Sequence, residues 1–140
     1  VSKVLKTIEI EDTTFEIRKP VMRQKVAVIE LMKEYGVDYQ RYVELGIMLN
    51  NEDDLSTADY AELALFQTIT ETNPDFCTGL ASIMLVEREK KFSESFDANK
   101  ELIAEWYMDA EDTEGIDITT FFMLTRTDTK AVKKAIAGAG

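Results

Sequence analysis

The side chains able to do chemistry in this 140-residue chain are carboxylates, hydroxyls and one thiol, and histidine is missing altogether. That absence removes the commonest general base, the commonest metal ligand and every Ser-His or Cys-His pairing. No Gly-rich phosphate loop and no Cys-x-x-Cys pair is present either. Two carboxylate pairs stand one helical turn apart, Glu30 with Glu34 and Glu101 with Glu105. A di-metal carboxylate bundle would add Glu-x-x-His motifs, so in an acidic chain these pairs read as solvated surface. The run Asp109-Ala110-Glu111-Asp112-Thr113-Glu114-Gly115 is rich in oxygen ligands for calcium. Setting Gly115 at the glycine of an EF-hand puts Ala110 at the first ligand position and Phe121 at the twelfth, which excludes that loop. The Asn50–Asp54 run lacks the glycine. Cys77, the sole cysteine, lies in the apolar stretch Phe76-Cys77-Thr78-Gly79-Leu80 and reads as a buried structural thiol with nothing to activate it. The expectation is a binding protein with no catalytic residue, no cofactor and no metal.

Binding surfaces therefore matter more. Phe121-Phe122-Met123-Leu124 puts four large apolar residues in a row, covering more than one helix face. Either that helix is enclosed in the core or part of it meets a partner, and these four are the candidate partner-binding residues. The six methionines raise the same question, because Met-rich surfaces adapt to varied clients. Met22, Met32, Met48 and Met84 nevertheless sit in helical stretches, where a core role is the simpler expectation.

The elements that position these residues follow from periodicity and caps. Residues 3–10 and 14–18 alternate as strands do, with Ile8 and Ile10 on one side and Thr7 and Glu9 on the other. Phe15 and Ile17 answer them across Glu11-Asp12-Thr13, which favours a turn. Pro20 opens a helix whose face is Met22, Val26, Ile29 and Met32, widened by Val28, Leu31 and Tyr35, with Gly36 as its C-cap. Asp38 caps a second helix carrying Tyr39, Tyr42, Val43, Gly46 and Leu49. Ser56 with Asp59 makes a capping box, and Leu55 and Tyr60 a hydrophobic staple, for a third helix. Its apolar side is Ala61, Leu65 and Ile69, with Leu63 and Phe66 beside it. Asn73-Pro74 starts a fourth, with Phe76, Leu80, Ile83, Met84 and Leu85, before the charged end Glu87 to Lys91. Ser93 or Ser95 starts a fifth, with Asn99, Leu102, Ile103 and Trp106 in register. Asp117 caps a short helix from Ile118 to Thr125, and a last helix spans Thr129 to Ala137. The reading is a mainly α fold: an N-terminal β-hairpin (1–19) packed on a bundle of six or seven helices (20–140), forming a single domain.

Charge is distributed unevenly. Residues 1–41 hold eight Lys/Arg against seven Asp/Glu, residues 42–128 hold five against twenty, and Lys130, Lys133 and Lys134 complete a net charge of −11. A body of that sign repels DNA phosphates, so nucleic-acid binding is not expected. The same charge keeps a protein soluble while it holds a sticky client. No apolar signal core opens the chain and no apolar run approaches about 18 residues, so a cytosolic protein without a membrane span is expected.

The segment Thr7-Ile8-Glu9-Ile10-Glu11-Asp12-Thr13-Thr14-Phe15-Glu16-Ile17-Arg18-Lys19-Pro20 resembles the opening of phage tail assembly chaperones. In that family a short hairpin ends in a basic-Pro step and runs into a helical, acidic body. The resemblance implies a non-virion helper in the host bacterial cytoplasm that binds the tape-measure protein and tail-tube subunits during tail assembly. It also implies a short and a frameshifted long form, with Gly138-Ala139-Gly140 suiting the short form or a junction. Homo-oligomerisation is a further expectation, since several helices are apolar over wide arcs. The alternatives from other classes are a structural virion protein of tail or capsid, and an acidic DNA mimic that inhibits a DNA-binding protein. A small enzyme would require a concave site lined by buried carboxylates.

Overall fold

Two strands, β1 (Val4–Ile10) and β2 (Thr13–Arg18), pair antiparallel around the two-residue turn Glu11-Asp12. Glu11 adopts a φ of 54°, the left-handed conformation that a tight hairpin turn requires. Ile10 is buried and Ile8 half-buried, whereas Thr7 and Glu9 are exposed, as the two-residue period dictates. A third strand, β3 (Leu85–Glu87), then joins β2 antiparallel and gives the sheet order β1-β2-β3. This corrects the expected two-stranded hairpin and the helical reading of Leu85. Leu85, Val86 and Glu87 are extended because their backbone pairs with Ile17, Glu16 and Phe15, partners roughly seventy residues away that no local pattern reveals. A lone hairpin is marginal in water, and the added strand with its helical cover makes this one a sheet.

The computed structural model describes residues 3–125. Six helices follow the hairpin there: α1 (Met22–Glu34), α2 (Tyr39–Asn50), α3 (Thr57–Thr72), α4 (Pro74–Met84), α5 (Phe92–Asp109) and α6 (Ile118–Thr125). The helix expected over Thr129–Ala137 and the Gly138-Ala139-Gly140 ending lie outside the described residues. Most helix starts are capped where the residue types indicate. Asp38, Ser56, Asn73 and Asp117 each accept a first-turn N–H through a side-chain oxygen. At the end of α1, Val37 N–H bonds Met32 O at 2.8 Å and Gly36 N–H bonds Lys33 O at 3.0 Å, a Schellman motif around a glycine at φ 77°. No helix among the described residues is long and apolar enough to cross a membrane.

The centre is α4, whose Phe76, Cys77 and residues 80–84 are all buried, with α1, α3 and α5 packed around it and β3 continuing directly from its end. Gly79 lets Leu31 of α1 approach closely: a Cβ there would meet Leu31 Cδ1 at 3.1 Å. Phe15, Met32, Leu45, Leu80, Leu85, Ile103 and Phe121 complete the interior. In α2 the buried residue is Leu45, and Leu49 of the expected stripe is exposed; α3 and α1 also differ in part from the side expected inward. In α3 the buried residues are Leu63, Phe66 and Thr70, while Leu65 is 58% exposed and Tyr60 of the expected staple is exposed as well. In α1 they are Gln24, Val28 and Met32, with Leu31 and Tyr35 packed alongside. Gln24 is admitted to the interior because its side chain accepts from Val21 N–H at 2.9 Å and donates to Ile83 O at 2.9 Å. With that buried polar bridge, Met32, Val28, Leu31 and Tyr35 of the expected face are inward, and its Met22, Val26 and Ile29 are outside.

Candidate functional site

Rotating α1 outward creates the main candidate site. Met22 is 68% exposed, Val26 45% and Ile29 40%, and the spacing of four and three residues aligns them along one edge of the helix. Beside them runs the start of α5, with the Phe92 and Phe96 rings in tilted contact at 5.2 Å between centroids. Two adjoining clefts lie between the helices. The first, about 420 Å³, is lined by Val21, Met22, Val86 and Phe92 together with Arg18, Lys19, Arg23, Lys90 and Lys91. The second, about 400 Å³, continues past Met22, Val26, Ala27, Phe92 and Phe96 to Glu30 and Asp97. They share Met22, Arg23, Phe92 and Ser93, so they form one groove with an apolar floor. Five cations line one end and no carboxylate does, in a chain carrying −11. From Met22 to Glu30 the groove follows nine residues of α1, roughly 12 Å at the rise of a helix.

The basic end is built on a rigid support. Glu16 of β2 receives Arg18 Nε at 2.9 Å on one carboxylate oxygen and Arg88 Nε at 3.2 Å on the other. Arg18 also donates to Lys90 O at 3.0 Å and Glu87 O at 3.2 Å, which ties the β3–α5 turn to β2. Burial alone would raise the Glu16 pKa; the hydrogen bonds and charges of Arg18 and Arg88 outweigh it and hold the group below the usual glutamate value. Glu87 is likewise held low, by hydrogen bonds from Lys90 and Asn99. Lys19, Arg23 and Lys91 make no ion pair among the described residues.

The residues singled out by sequence fall elsewhere. Phe121 is 1% exposed and belongs to the core, and Phe122 and Leu124 are half-buried against it. Phe122 meets the rings of Tyr39 and Tyr42 at 5.2 and 5.4 Å, and Met123 is half-buried. The four are contiguous on α6, but Phe121 presents no free surface. Glu30, Glu34, Glu101 and Glu105 are all exposed. In the acidic loop Lys6 donates to Glu114 O at 2.7 Å and pairs with Asp112 at 3.8 Å, so the loop is fastened to β1. Among the described residues no three of His, Cys, Asp and Glu are grouped to hold a metal ion. Cys77 is buried, its Sγ 3.6 Å from Thr70 O, and burial pushes its thiol pKa up, away from nucleophilic reactivity. No buried side-chain nitrogen or oxygen among the described residues lacks a hydrogen-bond partner. The buried polar side chains of the described residues are thus satisfied from within.

Sequence reasoning missed Lys19, Arg23, Lys90, Lys91, Phe92 and Phe96 as a set, because their meeting depends on how α1 lies beside α5. One local signal was present: Arg18, Lys19, Arg23 and Lys25 interleave with Val21, Met22 and Val26, so cations flank this stripe instead of carboxylates. Compared with protein-family models, with curated proteins and with solved structures, the chain matches none.

Proposed function

We propose that this protein is a non-enzymatic binding protein that holds an amphipathic helix of a structural partner in the α1–α5 groove. The observation that supports the reading is the exposed pair Met22 and Val26, which lines a cleft with Phe92 and Phe96, with Ile29 exposed just beyond it. Large apolar side chains left open along one helix edge are what helix-in-groove recognition uses. The lack of histidine and of a metal-holding cluster among the described residues favours binding over catalysis. Taken with the hairpin and basic-Pro opening, the specific form of the proposal is a tail assembly chaperone of a tailed phage. Its client is the long helical tape-measure protein, handed on with tail-tube subunits in the host cytoplasm.

The test is co-expression with the tape-measure and tail-tube proteins encoded by the same genome, followed by size-exclusion chromatography. A soluble complex that is lost in Met22→Glu/Val26→Glu, a variant expected to stay folded because both sites are exposed, supports the reading. Absence of a complex, or a complex indifferent to that variant, overturns it. Recovery of the chain in purified particles would point instead to a structural virion protein.

A further inference from the structure

The groove is electrically polar along its length, and this gives any helix lying in it a direction. We propose that the groove takes its client helix antiparallel to α1 and α5, with a carboxylate-bearing C-terminal turn seated over Lys19, Arg23 and Lys91. The inference rests on the groove reading above and adds the chemistry and orientation of the occupant.

Three observations converge on it. First, the two clefts advance in step along both helices, from residues 21–24 to 26–30 on α1 and from 90–93 to 96–97 on α5, so both helices begin at the same end. Second, the cations gather at that end: Arg18 and Lys90 are engaged by Glu16 and Glu87, whereas Lys19, Arg23 and Lys91 have no acidic partner among the described residues. Third, the N-cap positions are Val21 and Lys91, neither of which brings a side-chain oxygen to the first-turn N–H groups, unlike Asp38, Ser56 and Asn73 at the next three helices. The positive end of the α1 dipole, with no acidic residue in its first turn, therefore adds to the side-chain charge, while that of α5 is partly offset by Glu94. The far end carries Glu30 and Asp97. A docked helix whose negative C-terminal end faces the cations, and whose N-terminal end faces Glu30 and Asp97, is favoured at both ends; the reverse orientation is opposed at both. The surrounding charge of −11 makes the basic end the local exception that selects for acidic residues in the occupant.

The experiment uses the full chain and three hydrocarbon-stapled helical peptides of equal helicity, each with leucines at i, i+4 and i+7. One carries three glutamates in its C-terminal turn, one carries them in its N-terminal turn, and one carries glutamines at both. Dissociation constants are measured by fluorescence anisotropy at low and high salt. The C-terminal-Glu peptide is expected to bind about tenfold more tightly than the Gln peptide at low salt, with the gap closing at high salt. The N-terminal-Glu peptide is expected to bind no better than the Gln peptide. Lys19→Gln/Arg23→Gln/Lys91→Gln should erase the preference, so that the C-terminal-Glu peptide binds no better than the Gln peptide, while the thermal melting curve stays unchanged. Equal binding of all three, abolished by Met22→Glu/Val26→Glu, overturns the orientation and leaves the groove standing. Tightest binding of the N-terminal-Glu peptide overturns the direction. No binding of any peptide overturns both readings.

Discussion

Replacing Glu16 by Gln removes one charge and almost no volume, and so imposes permanently the state that the native glutamate reaches only in acid. Glu16 is 8% exposed, while the Arg18 and Arg88 side chains that grip it are 21% and 53% exposed. A buried ion pair broken at one partner costs about 3–5 kcal/mol and an exposed pair about 1 or less. This cluster lies between those limits, and Arg18 keeps the carbonyls of Glu87 and Lys90 after the substitution. The expected loss at neutral pH is about 2 kcal/mol, or roughly 6 °C in Tm for a domain of this size. The pH dependence is the sharper test. Because the folded pKa lies below the unfolded one, the contribution is complete above the ordinary glutamate value of about 4.3 and disappears as pH falls through the lower folded value. Urea unfolding of both proteins across that range should show the gap narrowing below about pH 4 and closing in stronger acid. A gap that stays constant into acid, or one under about 0.5 kcal/mol at neutral pH, would refute the account of Glu16 as a charged clamp.

Other substitutions separate the buried from the exposed sides. Phe66→Ala should cost about 3 kcal/mol or more in chemical denaturation, and the adjacent Leu65→Ala no more than about 0.5; equal losses would mean that α3 is turned otherwise. Cys77 should react with a thiol reagent only along the unfolding transition, since burial raises its pKa and encloses it; rapid labelling in native buffer would contradict that placement. Gly36→Ala should cost about 1 kcal/mol through the backbone alone, because a Cβ there meets nothing within 4 Å while φ is 77°. Gly36→Asn should lose less, and thermal melts of the two variants would show the order.

Local features of the fold were readable wherever the cause is local. The caps at Asp38, Ser56, Asn73 and Asp117 rest on one side chain and the next two or three N–H groups, and they lie where residue type placed them. The α5 register of Asn99, Leu102, Ile103 and Trp106 also packs inward, because every apolar residue of that stripe has a neighbour. What periodicity cannot tell is which of two apolar edges a helix turns inward. In α1 the expected face of Met22, Val26, Ile29 and Met32, widened by Val28, Leu31 and Tyr35, splits: Met32, Val28, Leu31 and Tyr35 pack inward beside Gln24, which reaches Ile83 on α4, and Met22, Val26 and Ile29 stay outside. The candidate site is hidden for the same reason: periodicity directs Met22, Val26 and Ile29 of α1 to the core, and the groove exists because they are outside. Phe121 shows the converse, an aromatic in a conspicuous run that the fold encloses.

The long separation between β2 and β3 also orders events in time. A hairpin such as β1–β2 forms in about 1–10 μs from neighbouring residues. Its inward Phe15 and Ile17, however, find the cross-strand backbone of Glu87 and Leu85 only after the intervening helices have collapsed and the loop entropy has been overcome. On a ribosome the hairpin therefore emerges before the helices that follow it and before the β3 strand that completes its sheet. A nascent chain stopped before Leu85 carries a sticky half-sheet with no lid, and protection from hydrogen exchange of the Arg88 amide, which donates to Thr14 O at 2.9 Å, marks the docking of β3 on the hairpin.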